Sequence, residues 1–162
     1  MLTSRSENES YYASGSGGVV DSNRSNLCCQ SPHGHLEVNE GKSKFAPGAI
    51  KNTTVTYTPA KGDMIKCVVD GVDKDDKPIH WTWVGKFDGK PYQIKGSPSF
   101  DTLTYKPVND RTNKTTATKA GKVVMTGTIT VAKDGKSRVV RLTGTDANGQ
   151  KFTDMTYYDK QQ

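Results

Sequence analysis

From residue 52 to the C-terminus, apolar and polar side chains alternate in short runs. Val55 and Tyr57 alternate with Thr54, Thr56 and Thr58, and Ile65, Cys67 and Val69 alternate with Met64, Lys66 and Val68. Ile79, Trp81, Trp83 and Phe87 share one parity, opposite His80, Thr82 and Lys86. Val123, Met125, Gly127, Ile129 and Val131 oppose Val124, Thr126, Thr128, Thr130 and Ala132. A period of two sends successive side chains to opposite faces of a pleated strand, so the pattern predicts half-buried β-strands. Ten are predicted, over residues 35–39, 52–58, 63–70, 77–87, 90–96, 101–107, 111–119, 122–132, 137–145 and 150–159. The segment 111–119 has no apolar face. Its β-branched threonines still favour extended backbone, which makes it either an edge strand or part of a polar lumen. Residues 40–51 contain Gly41, Pro47 and Gly48 and read as an extended loop, so no helical lid is expected there.

Turn signals separate these runs: Lys61-Gly62, Asp70-Gly71, Asp88-Gly89, Ser97-Pro98, Asn109-Asp110, Ala120-Gly121, Asp134-Gly135 and Asn148-Gly149. Asp-Gly and Asn-Gly supply the positive φ angles of type I′ turns, so several links are expected to be two-residue hairpins. Repeated hairpins imply an all-β, antiparallel up-and-down meander of eight to ten strands that closes into a barrel.

The hydrophobic content of 32% is low for a globular chain. A one-layer barrel tolerates it because every second strand residue faces water. Residues 1–40 carry two basic and five acidic side chains, whereas residues 41–162 carry 21 basic against 12 acidic. The strand-bearing part is therefore basic, which favours anionic ligands, surfaces or nucleic acid without selecting among them. Scattered lysines at solvent-facing strand positions also have a simpler use, in discouraging edge-to-edge association.

Residues 1–33 are rich in Ser, Asn and Gly and read as a disordered leader ahead of a barrel domain over 34–162. The leader has no apolar core of a signal peptide, and the chain has no apolar run long enough to span a bilayer as a helix. Three cysteines without a framework pattern argue against a disulfide scaffold, and Cys67 reads as a small buried hydrophobe. Cys28, Cys29, His33 and His35 are possible metal ligands by type, but their spacing matches no standard site and adjacent cysteines do not readily share one ion. Asp73, Asp75 and Asp76 form a carboxylate cluster without the further oxygens of a calcium loop, so they read as a solvated turn.

Several stretches carry a resemblance. Gly34-His35-Leu36-Glu37-Val38-Asn39 followed by Lys42-Ser43-Lys44-Phe45-Ala46-Pro47-Gly48 resembles the opening of a group of small bacterial lipocalin-like proteins of the calycin type. Further matches are Asp70-Gly71-Val72-Asp73, Phe87-Asp88-Gly89-Lys90-Pro91-Tyr92, Gly96-Ser97-Pro98, Asp110-Arg111-Thr112, and Gly144-Thr145-Asp146-Ala147-Asn148-Gly149 through Tyr158-Asp159-Lys160-Gln161. The resemblance spans residues 34–161 and implies a lipocalin-like barrel in an exported protein, its motifs speaking to fold far more than to chemistry. Where the group carries a tryptophan that plugs the closed end, this chain has Leu36.

No Ser/His/Asp or Cys/His arrangement is visible, no cofactor motif is present, and the chain is read as a non-enzyme and a monomer. The candidate ligand-binding residues are the strand aromatics Trp81, Trp83, Tyr92, Tyr105 and Tyr157 together with Arg141. Rings and aliphatics with a few polar groups suit a small hydrophobic or amphipathic ligand in a lumen, although aromatics also simply fill small barrels. His80, Arg138 and Arg141 could each meet an anionic head group, since a register error of one residue reverses the face. The alternative is an interaction module using its basic outer face on nucleic acid, an anionic surface or an acidic protein. The absence of a long basic run argues against nucleic acid, as do the inward-reading aromatics.

Overall fold

The structure is a computed structural model that describes residues 34–162. The expected leader over 1–33, with Cys28, Cys29 and His33, lies outside the described residues. Ten antiparallel strands follow one another: β1 (Gly34–Val38), β2 (Lys51–Ala60), β3 (Met64–Val72), β4 (Pro78–Gly85), β5 (Pro91–Lys95), β6 (Thr102–Asn109), β7 (Thr112–Lys119), β8 (Lys122–Val131), β9 (Ser137–Thr145) and β10 (Lys151–Lys160). Each pairs with its sequence neighbours, and β1 closes on β10. The all-β, up-and-down barrel expected from the alternation is thus the observed architecture, compatible with a calycin-like barrel.

The turns differ from expectation. Only the Asp110–Arg111 and Ala120–Gly121 connections are two residues long, and Ala120 and Gly121 both take positive φ. The Asp-Gly and Asn-Gly pairs instead sit in longer loops closed by an aspartate side chain. Asp88 Oδ1 accepts from the Lys90 N–H, Asp134 Oδ1 from Lys136, and Asp146 Oδ1 from both Asn148 and Gln150. Asp70-Gly71 is not a turn at all. It lies within β3, where Gly71 lets the bulged backbone of Lys51 and Asn52 approach closer than a side chain would permit. The actual β3–β4 turn holds the carboxylate cluster: Asp73 Oδ1 accepts from the Asp75 and Lys77 N–H groups, and Lys74 pairs with Asp75.

Between β1 and β2 the chain makes one 3-10 turn (Glu40–Lys42) and then runs beside β10. Lys44 pairs with Met155, and the Ala46 N–H donates to Asp154 Oδ1 at 2.6 Å. As expected, no helical lid forms.

The core is the barrel interior. Leu36, Val55, Tyr57, Cys67, Val69, Trp81, Trp83, Leu103, Tyr105, Ala117, Ile129 and Tyr158 form one buried cluster. The polar strand β7 is not an edge but a wall of this interior, with Asn113, Thr115 and Ala117 turned inward and buried. A bulge between Ala117 and Thr118 shifts the pairing with β8, so Val124 packs on the core while Val123 is 61% exposed.

Candidate ligand-binding lumen

Inward positions fall into two groups along the strands. Near the β3–β4, β5–β6, β7–β8 and β9–β10 connections, Ile79, Ile94, Met125, Leu142 and Phe152 are half-buried. Toward the opposite strand ends, Tyr57, Cys67, Trp83, Tyr105, Asn113, Arg138 and Tyr158 are buried. Burial thus deepens from a rim that is apolar except for Asp154, the partner of Leu142, to a floor that contains rings, polar groups and one cation.

On one side of the floor, aromatic rings interlock. Trp83 is fully buried and meets Phe87, Tyr92 and Tyr105 edge-on, with ring centroids 5.7, 5.8 and 4.9 Å away. Phe87 stacks on Tyr105 at 5.0 Å, and Trp81 meets Phe100 edge-on at 5.5 Å. Edge-to-face packing aligns the positive ring edge with a negative ring face and adds to area burial. The Trp83 indole N–H donates to the Leu103 carbonyl at 3.2 Å, so the one polar atom of that ring is satisfied. Gly85 makes room for this set, since a Cβ there would overlap both the Tyr92 and Trp83 rings.

On the other side stands Arg138. Its Nη1 donates to the Tyr57 hydroxyl at 2.7 Å, and its guanidinium lies over the rings of Tyr57 and Tyr158, 5.2 and 4.9 Å from their centroids. Only 8% of the residue is exposed, and its Nε has no hydrogen-bond partner among the described residues. No carboxylate pairs with it there: the described ion pairs are His35–Glu37, Lys74–Asp75 and His80–Asp70. Cation–π contacts and a phenol thus stand where a buried arginine ordinarily finds an acid. Burial pushes the Tyr57 hydroxyl up to about 12, with Arg138 opposing, and pushes the Cys67 thiol up to about 12. Tyr105 and Tyr158 are raised by burial too. Every acid beside Arg138 is therefore neutral at physiological pH, which leaves the guanidinium charge unneutralised. A protonated, buried thiol is also a poor nucleophile. On β7, the Thr115 hydroxyl is a second buried polar group with no hydrogen-bond partner among the described residues.

The sequence-derived candidates divide accordingly. Trp81, Trp83, Tyr92 and Tyr105 are brought together inside the barrel, with Tyr92 half-buried and its hydroxyl donating to Asp88 at 2.8 Å. Arg141 and Tyr157 are not part of the lumen. Arg141 is exposed on the outer face, while Tyr157 lies outside beneath Lys42 and donates its hydroxyl to Ser137. The inward residues of those strands are Arg138 and Tyr158, set by the pairing of Val131 with Arg138 and of Arg138 with Tyr158. His80 also points outward, against Asp70 at 2.6 Å. Among the described residues no cluster of metal-ligating side chains occurs, and no helix is long and apolar enough to cross a membrane. Leu36 joins the core.

A search of protein families finds no match to the chain, and none of the curated proteins matches it.

Proposed function

We propose that the protein is a non-catalytic binder of a small amphipathic molecule with an anionic head, held in the lumen with the head toward Arg138. The observation that carries this reading is a buried guanidinium with no acidic partner among the described residues and an unused Nε. An isolated buried charge is costly, and an incoming carboxylate or similar anion would supply the missing partner. The half-buried apolar rim suits the ligand's body, and the aromatic wall offers flat rings for it to lie against. On the same reading the chain is one of the small bacterial lipocalin-like barrels that its strand and turn signatures resemble.

The test is tryptophan fluorescence of the full chain, since Trp81 and Trp83 are its two tryptophans. Long-chain fatty acids and retinoic acid are titrated beside their methyl esters and alcohols, in the wild type and in Arg138→Met. Acids should give a saturable change and bind at least about tenfold more tightly than their neutral counterparts, as expected for one charge-assisted contact. That preference should vanish in Arg138→Met. A wild type that responds equally to acid and ester, or to nothing in the panel, refutes the proposal.

A further inference from the structure

The outer surface of the wall from β6 to β9 is charged in one sign. These four strands contain no Asp or Glu at any position. Lys106 and Lys114 are direct cross-strand partners, and the same row continues from Lys114 through Thr128 to Arg141. All three cations are exposed. Like charges placed directly opposite one another repel, so this row works against the sheet that carries it. A neighbouring row of threonines crosses the same strands from Thr104 to Thr143.

Lysines on strand faces commonly guard a sheet edge, but a closed barrel has no edge to guard. Nor do Lys106, Lys114 and Arg141 pair with an acid among the described residues, whose ion pairs lie on other strands and turns. We propose that this face binds a linear acidic polysaccharide laid across the strands. Strand spacing puts Lys106 and Lys114 about 5 Å apart at their bases, and Lys114 and Arg141 about 10 Å apart, a line of cations suited to a chain with regularly spaced acidic groups. Threonine hydroxyls between them can exchange hydrogen bonds with sugar hydroxyls. Single-stranded nucleic acid fits less well, because it uses aromatic stacking platforms and the one aromatic residue of these strands, Tyr105, is turned into the lumen.

The experiment compares an oligogalacturonate with an oligothymidylate of equal charge, each titrated into the full chain at low and high salt. The face variant is Lys106→Ser/Lys114→Ser/Arg141→Ser, and the control, Lys74→Ser/Lys90→Ser/Lys133→Ser, removes the same charge from turns. The oligogalacturonate should bind at low salt and dissociate at high salt. It should bind about tenfold or more weakly to the face variant and within about twofold of wild type to the control, as expected for loss of local ionic contacts. Arg138→Met should leave this binding unchanged, which separates it from the lumen. Equal weakening in both variants, no oligogalacturonate binding, or tighter binding of the oligothymidylate would overturn the proposal. Tryptophan emission identical to that of the wild type verifies that each variant is folded.

Discussion

The wall from β3 to β6 and the wall from β7 to β10 obey the same pairing rules yet bury different chemistry. The first turns Cys67, Val69, Trp81, Trp83, Leu103 and Tyr105 inward, and its rings lock against one another. The second buries Ala117, Ile129, Val131 and Tyr158, but with them Asn113, Thr115, Arg138, Asp154 and Thr156. Rings and aliphatics gain from burial in proportion to the area they hide, whereas hydroxyls, carboxylates and guanidinium groups lose hydration and must be compensated. The first wall is thus arranged to hold the barrel together. The second sacrifices some of that stability, since it buries polar atoms, such as the Thr115 hydroxyl and Arg138 Nε, that have no hydrogen-bond partner among the described residues.

Three substitutions would break or sharpen this contrast. Trp83→Ala should have the largest effect, costing about 3–5 kcal/mol by removing a fully buried ring from the aromatic set; urea unfolding gives the value. A loss below about 1 kcal/mol would mean that this wall does not carry the stability. Thr115→Val should act in the opposite direction. It replaces a buried hydroxyl without a hydrogen-bond partner among the described residues by a methyl of the same size. A gain of up to about 1 kcal/mol in the same assay is expected, and a loss would reveal a use for the hydroxyl in the free protein.

Asp154→Asn should give the smallest effect, and one that depends on pH. Burial raises the Asp154 carboxyl above its ordinary value, and the Ala46 N–H opposes that shift. The native state therefore holds this proton more tightly than the unfolded chain, and stability falls as pH rises through the raised value. Asparagine keeps an acceptor for Ala46 and cannot ionise. Unfolding midpoints should accordingly be similar near pH 4, with the variant ahead at pH 7. A wild type that gains on the variant as pH rises would reverse the assignment.

Much of the first wall was legible in the sequence because its two faces differ sharply. In β4, Trp81 and Trp83 alternate with His80 and Thr82, so one parity can only be the interior. The second wall is ambiguous for a physical reason. In β9 an arginine falls on each parity, Arg138 and Arg141, and in β10 adjacent Tyr157 and Tyr158 point to opposite sides. Hydrophobicity alone cannot choose between such faces. Pairing chooses, by placing Arg138 between Val131 and Tyr158. The bulge beside Ala117 similarly exchanges the roles of Val123 and Val124, since an extra residue reverses parity without any mark in the pattern. Nor does periodicity reveal that residues 43–46 run beside β10, because that stretch pairs through a single bridge and two side chains, Ser43 and Asp154.

The junction of β1 with β10 has a kinetic consequence. Nine of the ten strand pairings join consecutive strands and can zip from a local turn, but this one brings together residues such as Asn39 and Asp159, 120 positions apart. It is short, with three paired positions, and one of them sets Glu37 opposite Asp159. Such a contact forms only after a large loss of chain entropy, against mutual repulsion of two carboxylates. Barrel closure should therefore come late in folding and be the first step undone, so that amide protons along this seam exchange ahead of those between β3 and β4. A circle closed by its one long-range clasp can reopen there without being dismantled elsewhere.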